Sequence, residues 1–318
     1  MKALCIGRSD YNFYAKVDSF ANEGSIQNLN EITEGAGGTG VTAASTLGKY
    51  GVETYLGSVV GDDSFGNLIK KELDKSSVHT EYMETAFDKR TSFSLILVKK
   101  DTKEKAIYNI AKDKLALKKT EFQMAPDLVY SDGYDYGATL SAFSKYSDKI
   151  TIINAKVCSK EMVELCKYSK YIIAPSEFAE WISGQKINFD NPPSLVAVFS
   201  ALLNRFVQKE IIVTLADKGA LYISNNQIKV MPSLKVEVED KTGAGDVFGG
   251  AFAYGLLQGY DLEKAITFAN IAGGLSVTKI GMKESIADIS DVMTYFNQKY
   301  GNNTTPESST SNEPPILQ

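Results

Sequence analysis

Apolar and polar positions change period several times in the first hundred residues. Ala3-Leu-Cys-Ile-Gly7 is a short apolar run, as in a strand buried on both faces. Tyr11 to Val17 and Ser25 to Thr33 alternate partially, which predicts strands with one wet face. Glu34-Gly-Ala-Gly-Gly-Thr-Gly40 breaks the alternation as a glycine turn and opens a helix from about Val41 to Tyr50. Glu53 to Val60 predicts a strand, and Gly61-Asp-Asp-Ser64 a cap for a helix from Phe65 to about Lys75, with Ser64 as N-cap. Thr91 to Lys99 and Lys105 to Ile110 predict two more strands around a charged turn.

Beyond residue 120 the rhythm becomes regular. Asp127 to Ser131, Ile150 to Ile153, Tyr171 to Ala174 and Ile211 to Leu215 are short apolar runs separated by helix-length amphipathic segments. That alternation indicates a parallel sheet covered on both faces. Leu221 to Ser224 and Ile228 to Glu237 suggest antiparallel additions at one edge. Helices are expected at Ala244 to Gly259, Leu262 to Thr278 and Ile289 to Tyr300. From Gly301 to Gln318 the chain is polar and low in complexity, the composition of a disordered tail. The expectation is one α/β domain over residues 1–300, with a small strand-rich element made from two pieces, about 11–33 and 88–111.

Composition narrows the function classes. With 43% hydrophobic and 23% charged residues in 318, the chain has the make-up of a globular protein. A net charge of −5 gives no global attraction to nucleic acid or to an anionic membrane. No apolar run approaches the ~20 residues of a membrane span, and Arg8 and Asp10 interrupt the N-terminus too soon for a signal peptide. Cys5, Cys158 and Cys166 lack disulfide-like spacing, so reduced thiols and a cytoplasmic location are expected. His79 is the one histidine, which nearly excludes a mechanism built on a Ser-His-Asp or Cys-His pair.

The chemistry concentrates in Asp240-Lys-Thr-Gly-Ala-Gly-Asp-Val-Phe-Gly-Gly250, between a strand-like alternation and an apolar helix. A small-residue turn there leaves backbone N–H groups uncovered at the positive end of the helix, a site for a transferring phosphoryl group. Asp246 falls in the first helical turn, beside that anion, where a carboxylate can take a proton from an attacking hydroxyl. Ordinary helix capping explains the same residues. Gly35 to Gly40 satisfies G-x-G-x-x-G, but the strand that should precede a dinucleotide turn ended near Gly7. Val41-Thr42 stands where a Walker loop needs Lys-Ser/Thr, which removes a P-loop enzyme.

Read together, the two glycine turns offer one close backbone approach to a polyhydroxy ligand and one phosphate cradle. With Gly37-Gly38-Thr39-Gly40-Val41-Thr42-Ala43-Ala44, Gly61-Asp-Asp-Ser-Phe-Gly66, Asp240 to Asp246 and Phe268-Ala-Asn-Ile-Ala272 in this order, the sequence resembles the ribokinase/PfkB family of carbohydrate and nucleoside kinases over about residues 1–300. The resemblance implies a doubly wound, mainly parallel sheet with helices on both faces and a small β-lid over the sugar. It implies ATP as donor, Mg²⁺ as counter-charge, Asp246 as general base, and the N–H groups of Gly243, Ala244 and Gly245 as anion hole. Asn12, Gly37, Gly38 and Thr42 fall at its acceptor positions, and Thr214, Gly219 and Asn270 at its nucleotide positions. Asp240 lies where many members bind a monovalent cation such as K⁺, and Glu177 where a Mg²⁺-linked glutamate is found. Lids of that family often pair between subunits, which extends the resemblance to a homodimer through the lid.

The departures fall mostly on the acceptor side. Asn12 and Asn154 replace aspartates, Thr42 replaces an asparagine, Ser176-Glu177 stands in for Asn-x-x-Glu, and Ala216 replaces a glycine. The leading expectation is an ATP-dependent kinase acting on a hydroxymethyl group of a sugar or sugar derivative. A nucleoside kinase is the alternative, with Tyr11, Phe13, Tyr14, Phe93 or Tyr108 stacking on a base. An anionic acceptor would call on Arg8, Lys16 or Arg90, and a non-catalytic sugar-sensing descendant would keep the fold alone.

Overall fold

The computed structural model describes residues 1–111 and 115–300; the tail expected at 301–318 lies outside them. The chain runs β1 (Lys2–Ile6), β2 (Asp10–Val17), β3 (Thr33–Gly37), α1 (Thr39–Lys49), β4 (Glu53–Gly61), α2 (Ser64–Lys75), β5 (Val78–His79), β6 (Met83–Ala86), β7 (Phe93–Lys99) and β8 (Lys105–Ile110). It continues through β9 (Leu128–Ser131), α3 (Tyr136–Lys145), β10 (Ile150–Asn154), α4 (Lys160–Tyr168), β11 (Tyr171–Pro175), α5 (Ser176–Ser183), α6 (Pro192–Arg205) and β12 (Glu210–Thr214). Then come β13 (Ala220–Ser224), β14 (Gln227–Met231), α7 (Ala244–Leu257), α8 (Leu262–Ser276), α9 (Met282–Ser285) and α10 (Ile289–Tyr300).

The main sheet has the order β14-β13-β12-β11-β10-β9-β1-β4-β5, with β6 also pairing β4. It is parallel from β12 to β5 and antiparallel only at the β12-β13-β14 edge. Strand alternation divides the core. Ala3 and Cys5 of β1, Tyr130 of β9 and Ile152 of β10 join the cluster under α1, α7 and α8, while Leu4, Ile6, Val129 and Ile153 join the one under α3 to α6. Each fully buried side chain of this size contributes ~1.5–3 kcal/mol relative to exposure. From β1 the chain winds through β4 on one side and β9 on the other, so the topological switch point lies between β1 and β9. Ligands of doubly wound sheets bind at the carboxyl ends of the strands beside that point.

The smaller sheet, β3-β2-β7-β8, pairs β2 and β7 in parallel and the outer pairs antiparallel. It crosses toward the far side of the carboxyl edge, where Lys16 of β2 and Lys103 of the β7–β8 turn both reach Glu239, at 2.5 and 3.4 Å. This sheet is the lid.

Several expectations need correction. Ser25 to Thr33 is not a strand; the partner of β2 is Thr33–Gly37, the first half of what reads as a glycine turn. Antiparallel pairing with a neighbour overrides weak intrinsic strand preference. Asp63, not Ser64, is the N-cap of α2, its carboxylate accepting from Gly66 N at 2.9 Å. The strand expected to reach Glu237 stops at Met231, because Pro232 has no N–H to continue the ladder.

Candidate active site

The run from Asp240 to Gly250 divides into two parts with different jobs. At its far end, glycines serve packing. A Cβ on Gly249 would lie 2.5 Å from Tyr130 Oη and 3.0–3.1 Å from its ring, and one on Gly250 would lie 2.8 Å from the Ala43 carbonyl and from Thr46. These two positions seat α7 directly on β9 and α1. The near end is open. Gly243 is the N-cap of α7 in the left-handed region (φ 81°), no side chain caps the helix, and a Cβ at Gly243 or Gly245 would meet nothing within 4 Å. Among the described residues no carbonyl takes the amides of Ala244 or Gly245, while Asp246 N and Val247 N both bond to Gly243 O at 2.9 Å. Two first-turn donors at a positive helix end thus face open space.

Asp246 is 7% exposed in the first turn of α7. Its Oδ1 lies 2.5 Å from Lys156 Nζ, and the same ammonium is 3.3 Å from Thr39 Oγ1 at the start of α1. Sequence reasoning missed Lys156. It follows β10 by two residues, and Asn154 before it donates to Tyr130 Oη at 2.9 Å. The turn that carries Lys156 is therefore fixed to the residue on which Gly249 packs.

Asp240 is buried and its Oδ1 accepts from Thr242 N at 2.9 Å, closing the turn. Thr242 Oγ1 is buried without a partner. Such an orphan normally marks a water or an ion. Glu177 lies exposed in the first turn of α5, 3.2 Å from Ser176 Oγ. Among the described residues no group of three or more His, Cys, Asp and Glu is disposed to hold a metal.

At the first glycine turn the space that side chains would take is filled by the protein itself. The space beside Gly37 is filled by the Asn12 amide, that beside Gly38 by the Arg8 carbonyl, and that beside Gly40 by the Gly7 backbone. Asn12 is buried and donates to Tyr14 Oη at 3.0 Å. Thr42 is fully buried; its hydroxyl donates to Gly38 O at 2.8 Å and lies 2.5 Å from Met282 Sδ of α9. Asn12, Gly37 and Gly38 form one wall, and Thr42 stands behind it.

At the switch point, Asp132 after β9 is buried and accepts from Arg8 N and Tyr134 N at 2.9 Å each. Burial pushes its carboxyl up to about 6, opposed by those two amides and helped by Asp135 and Asp246. Asp10 and Asp135 are also raised, mainly by burial. Arg8 is committed to Asp10 at 2.8 Å, so it is no free clamp for an acceptor. Lys16 is committed to Glu239.

The nucleotide candidates gather at the other end. Thr214 ends β12 and pairs with Ala220, and Gly219 (φ 92°) lies so close to Met231 O that no side chain fits. Asn270 on α8 donates to Pro232 O at 2.5 Å, and Pro232 also borders Gly219. Ala216 is held at φ 51°, where the resembling family has glycine. The aromatic candidates pack on one another: Tyr11 stacks on Phe65 at 5.0 Å, and Phe13 meets Phe65 and Phe93 edge-on. Tyr108 is exposed on the lid's outer strand. A surface hollow of about 630 Å³ lies between α4, α5 and α6 around Trp181 and Arg205 and includes none of these residues.

A lid over the switch point of a doubly wound sheet, with an open amide turn beside a buried carboxylate, defines a small-molecule phosphotransferase. Residues 1–289 match the pfkB family of carbohydrate kinases, and the chain belongs to that family. It is an ATP-dependent carbohydrate kinase by class. It is 28% identical over 255 residues to the ribokinase of Bacillus subtilis (strain 168), covering 77% of this chain and 82% of the relative. It is 24% identical over 315 residues to the deoxyribokinase of Salmonella typhi, covering 93% and 99%. Its fold matches that of Thermotoga maritima ribokinase with a TM-score of 0.75 at 24% identity, over 93% and 99% of the chains. Arabidopsis thaliana ribokinase, solved with ribose and ATP, gives 0.75 at 19% over 93% and 98%. Among the described residues no helix is long and apolar enough to cross a membrane.

Proposed function

We propose that this protein transfers the terminal phosphoryl group of ATP to a hydroxymethyl group of a sugar derivative. The observation that carries the reading is the buried carboxylate of Asp246 beside the uncapped, open turn of Gly243, Ala244 and Gly245. Asp246 takes the proton of the attacking hydroxyl, and the turn's amides stabilise charge on the group in flight. Transfer of this kind depends on positioning and electrostatics, which is why a chain with a single distant histidine can perform it.

The residues present fit the nucleotide. The turn's amides would hold its phosphates, with Thr214, Gly219 and Asn270 toward the base. Mg²⁺ would arrive with the phosphates and neutralise their charge, Glu177 reaching it through water. The Asp240 carboxylate and the orphaned Thr242 hydroxyl are suited to a monovalent cation such as K⁺. Three free cysteines suit a reducing cytoplasm. The exposed Ile107, Tyr108 and Ile110 of β8 support a homodimer through the lid.

The test is ATP consumption across neutral sugars, anionic sugar derivatives and nucleosides. At least one acceptor should stimulate turnover, and Asp246→Asn should lower kcat by roughly 10²–10⁴. Equal activity of the variant, or no acceptor that stimulates ATP use, removes the proposal. A nucleoside preference would replace the sugar with the rival acceptor.

A further inference from the structure

The acceptor hydroxyl has to reach a carboxylate that an ammonium already occupies. Lys156 Nζ sits 2.5 Å from Asp246 Oδ1 and 3.3 Å from Thr39 Oγ1, so it bridges the base and the acceptor-side glycine turn. It comes from the β10 wall, not from the amide turn that faces the donor phosphate. A hydroxyl that bonds to Asp246 takes the place of part of this ion pair and leaves a cation beside the acceptor.

A second lysine adds to that field from above. Lys105 at the start of β8 is exposed as a residue, yet burial lowers its pKa, with Asp240 and Asp246 acting against the shift and Lys156 and Lys241 with it. Lys105 thus feels both carboxylates and Lys156. The lid is drawn down over them by Lys16 and Lys103 on Glu239. Of the arginines, Arg8 is tied to Asp10. A point charge on a flexible stem, not a planar fork, is what this wall offers.

We propose that Lys156 reads an anionic group on the acceptor, so that the preferred substrate is a sugar derivative carrying a carboxylate or a phosphate close to the hydroxyl that is phosphorylated. This rests on the kinase reading above. With a neutral sugar the displaced ammonium keeps only a share of Asp246 and solvent, whereas an anion on the acceptor gives it a partner of its own through a charge-assisted hydrogen bond.

The experiment is calorimetric binding to the full chain with a non-hydrolysable ATP analogue, followed by ATP turnover. Two matched pairs serve as probes: D-gluconate with D-glucose, and D-fructose 6-phosphate with D-fructose. At least one anion should bind tenfold or more tightly than its neutral partner, and the carboxylate and phosphate arms separate the two sources of charge. Lys156→Met should bring that ratio close to one, chiefly through KM, while Lys156→Arg retains it. No anion exceeding its partner, or a Lys156→Met loss equal for both members, overturns the proposal. Anion preference without turnover supports the anion site and overturns the kinase reading instead, since binding is measured apart from transfer.

Discussion

Replacing Gly245 and Gly249 separately by alanine tests whether one glycine-rich run performs two unrelated tasks. At Gly249 the added methyl would lie 2.5 Å from Tyr130 Oη and 3.0 Å from the ring. Tyr130 is fully buried and held by Asn154, so it has little room to withdraw. Overpacking of this kind costs ~1–3 kcal/mol, partly offset by the better helix propensity of alanine, up to ~1 kcal/mol. At roughly 2–4 °C per kcal/mol for a large domain, Tm should fall by several degrees. At Gly245 the methyl meets nothing within 4 Å, and the residue has ordinary helical φ. Stability there should be unchanged or rise by about 0.5 kcal/mol from helix propensity. Activity should reverse the order. On the proposed mechanism a methyl at Gly245 would crowd the phosphoryl group, and loss of an anion-hole contact costs ~10²–10³ in kcat. Gly249→Ala should keep most of its kcat at a temperature where it is folded. Scanning calorimetry and ATP turnover on both variants decide the matter. If Gly245→Ala is the less stable protein, or keeps full activity, the division of the run is wrong.

Three further outcomes follow from other sites. Ala216→Gly should be neutral or mildly stabilising by thermal melting, because a left-handed alanine costs ~1–2 kcal/mol, more than the ~0.4–1 kcal/mol of added unfolded-state freedom; a clear loss of Tm would contradict it. Asp132 holds its proton up to about pH 6 when folded but only to about 3.8 when unfolded, so its contribution to stability is greatest at low pH and declines as pH rises from about 4 to 6. The decline is worth about 3 kcal/mol, and the stability of Asp132→Asn should change less over that window than that of the wild type. Glu239→Gln releases two lysines of the lid at once and should raise the acceptor KM, more so at low salt, with little change in Tm.

The parts that local pattern specifies were legible. Apolar runs placed β1, β9, β10, β11 and β12 to within a residue or two, because a buried parallel strand needs no alternation and tolerates few polar residues. The uncapped start of α7 at Gly243, with Asp246 in its first turn, was legible for the same reason, being contiguous in sequence. Lys156 was not. Its meaning depends on β10 lying two strands from β1 and on α7 returning over β9 and β10, and Asn-Ala-Lys carries no spacing signal of its own. β3 was hidden because its glycines and glutamate read as turn, and only pairing with Asp10 to Tyr14 makes them a strand. The packing role of the first glycines was also hidden: a missing side chain there admits Arg8, Gly7 and Asn12, which only the fold brings alongside.

A single residue, Gly38, separates β3 of the lid from α1, and its φ of 96° is one that other residues rarely adopt. The lid and α1 therefore share a joint with no slack. A change of lid angle must turn at that glycine or be transmitted into α1. The open amide turn hangs instead on α7, whose seat on β9 and α1 is set by Gly249 and Gly250. A graft that takes β2, β3, β7 and β8 from a relative, with Gly38 as the suture, would exchange what the enzyme recognises while leaving how it reacts in place.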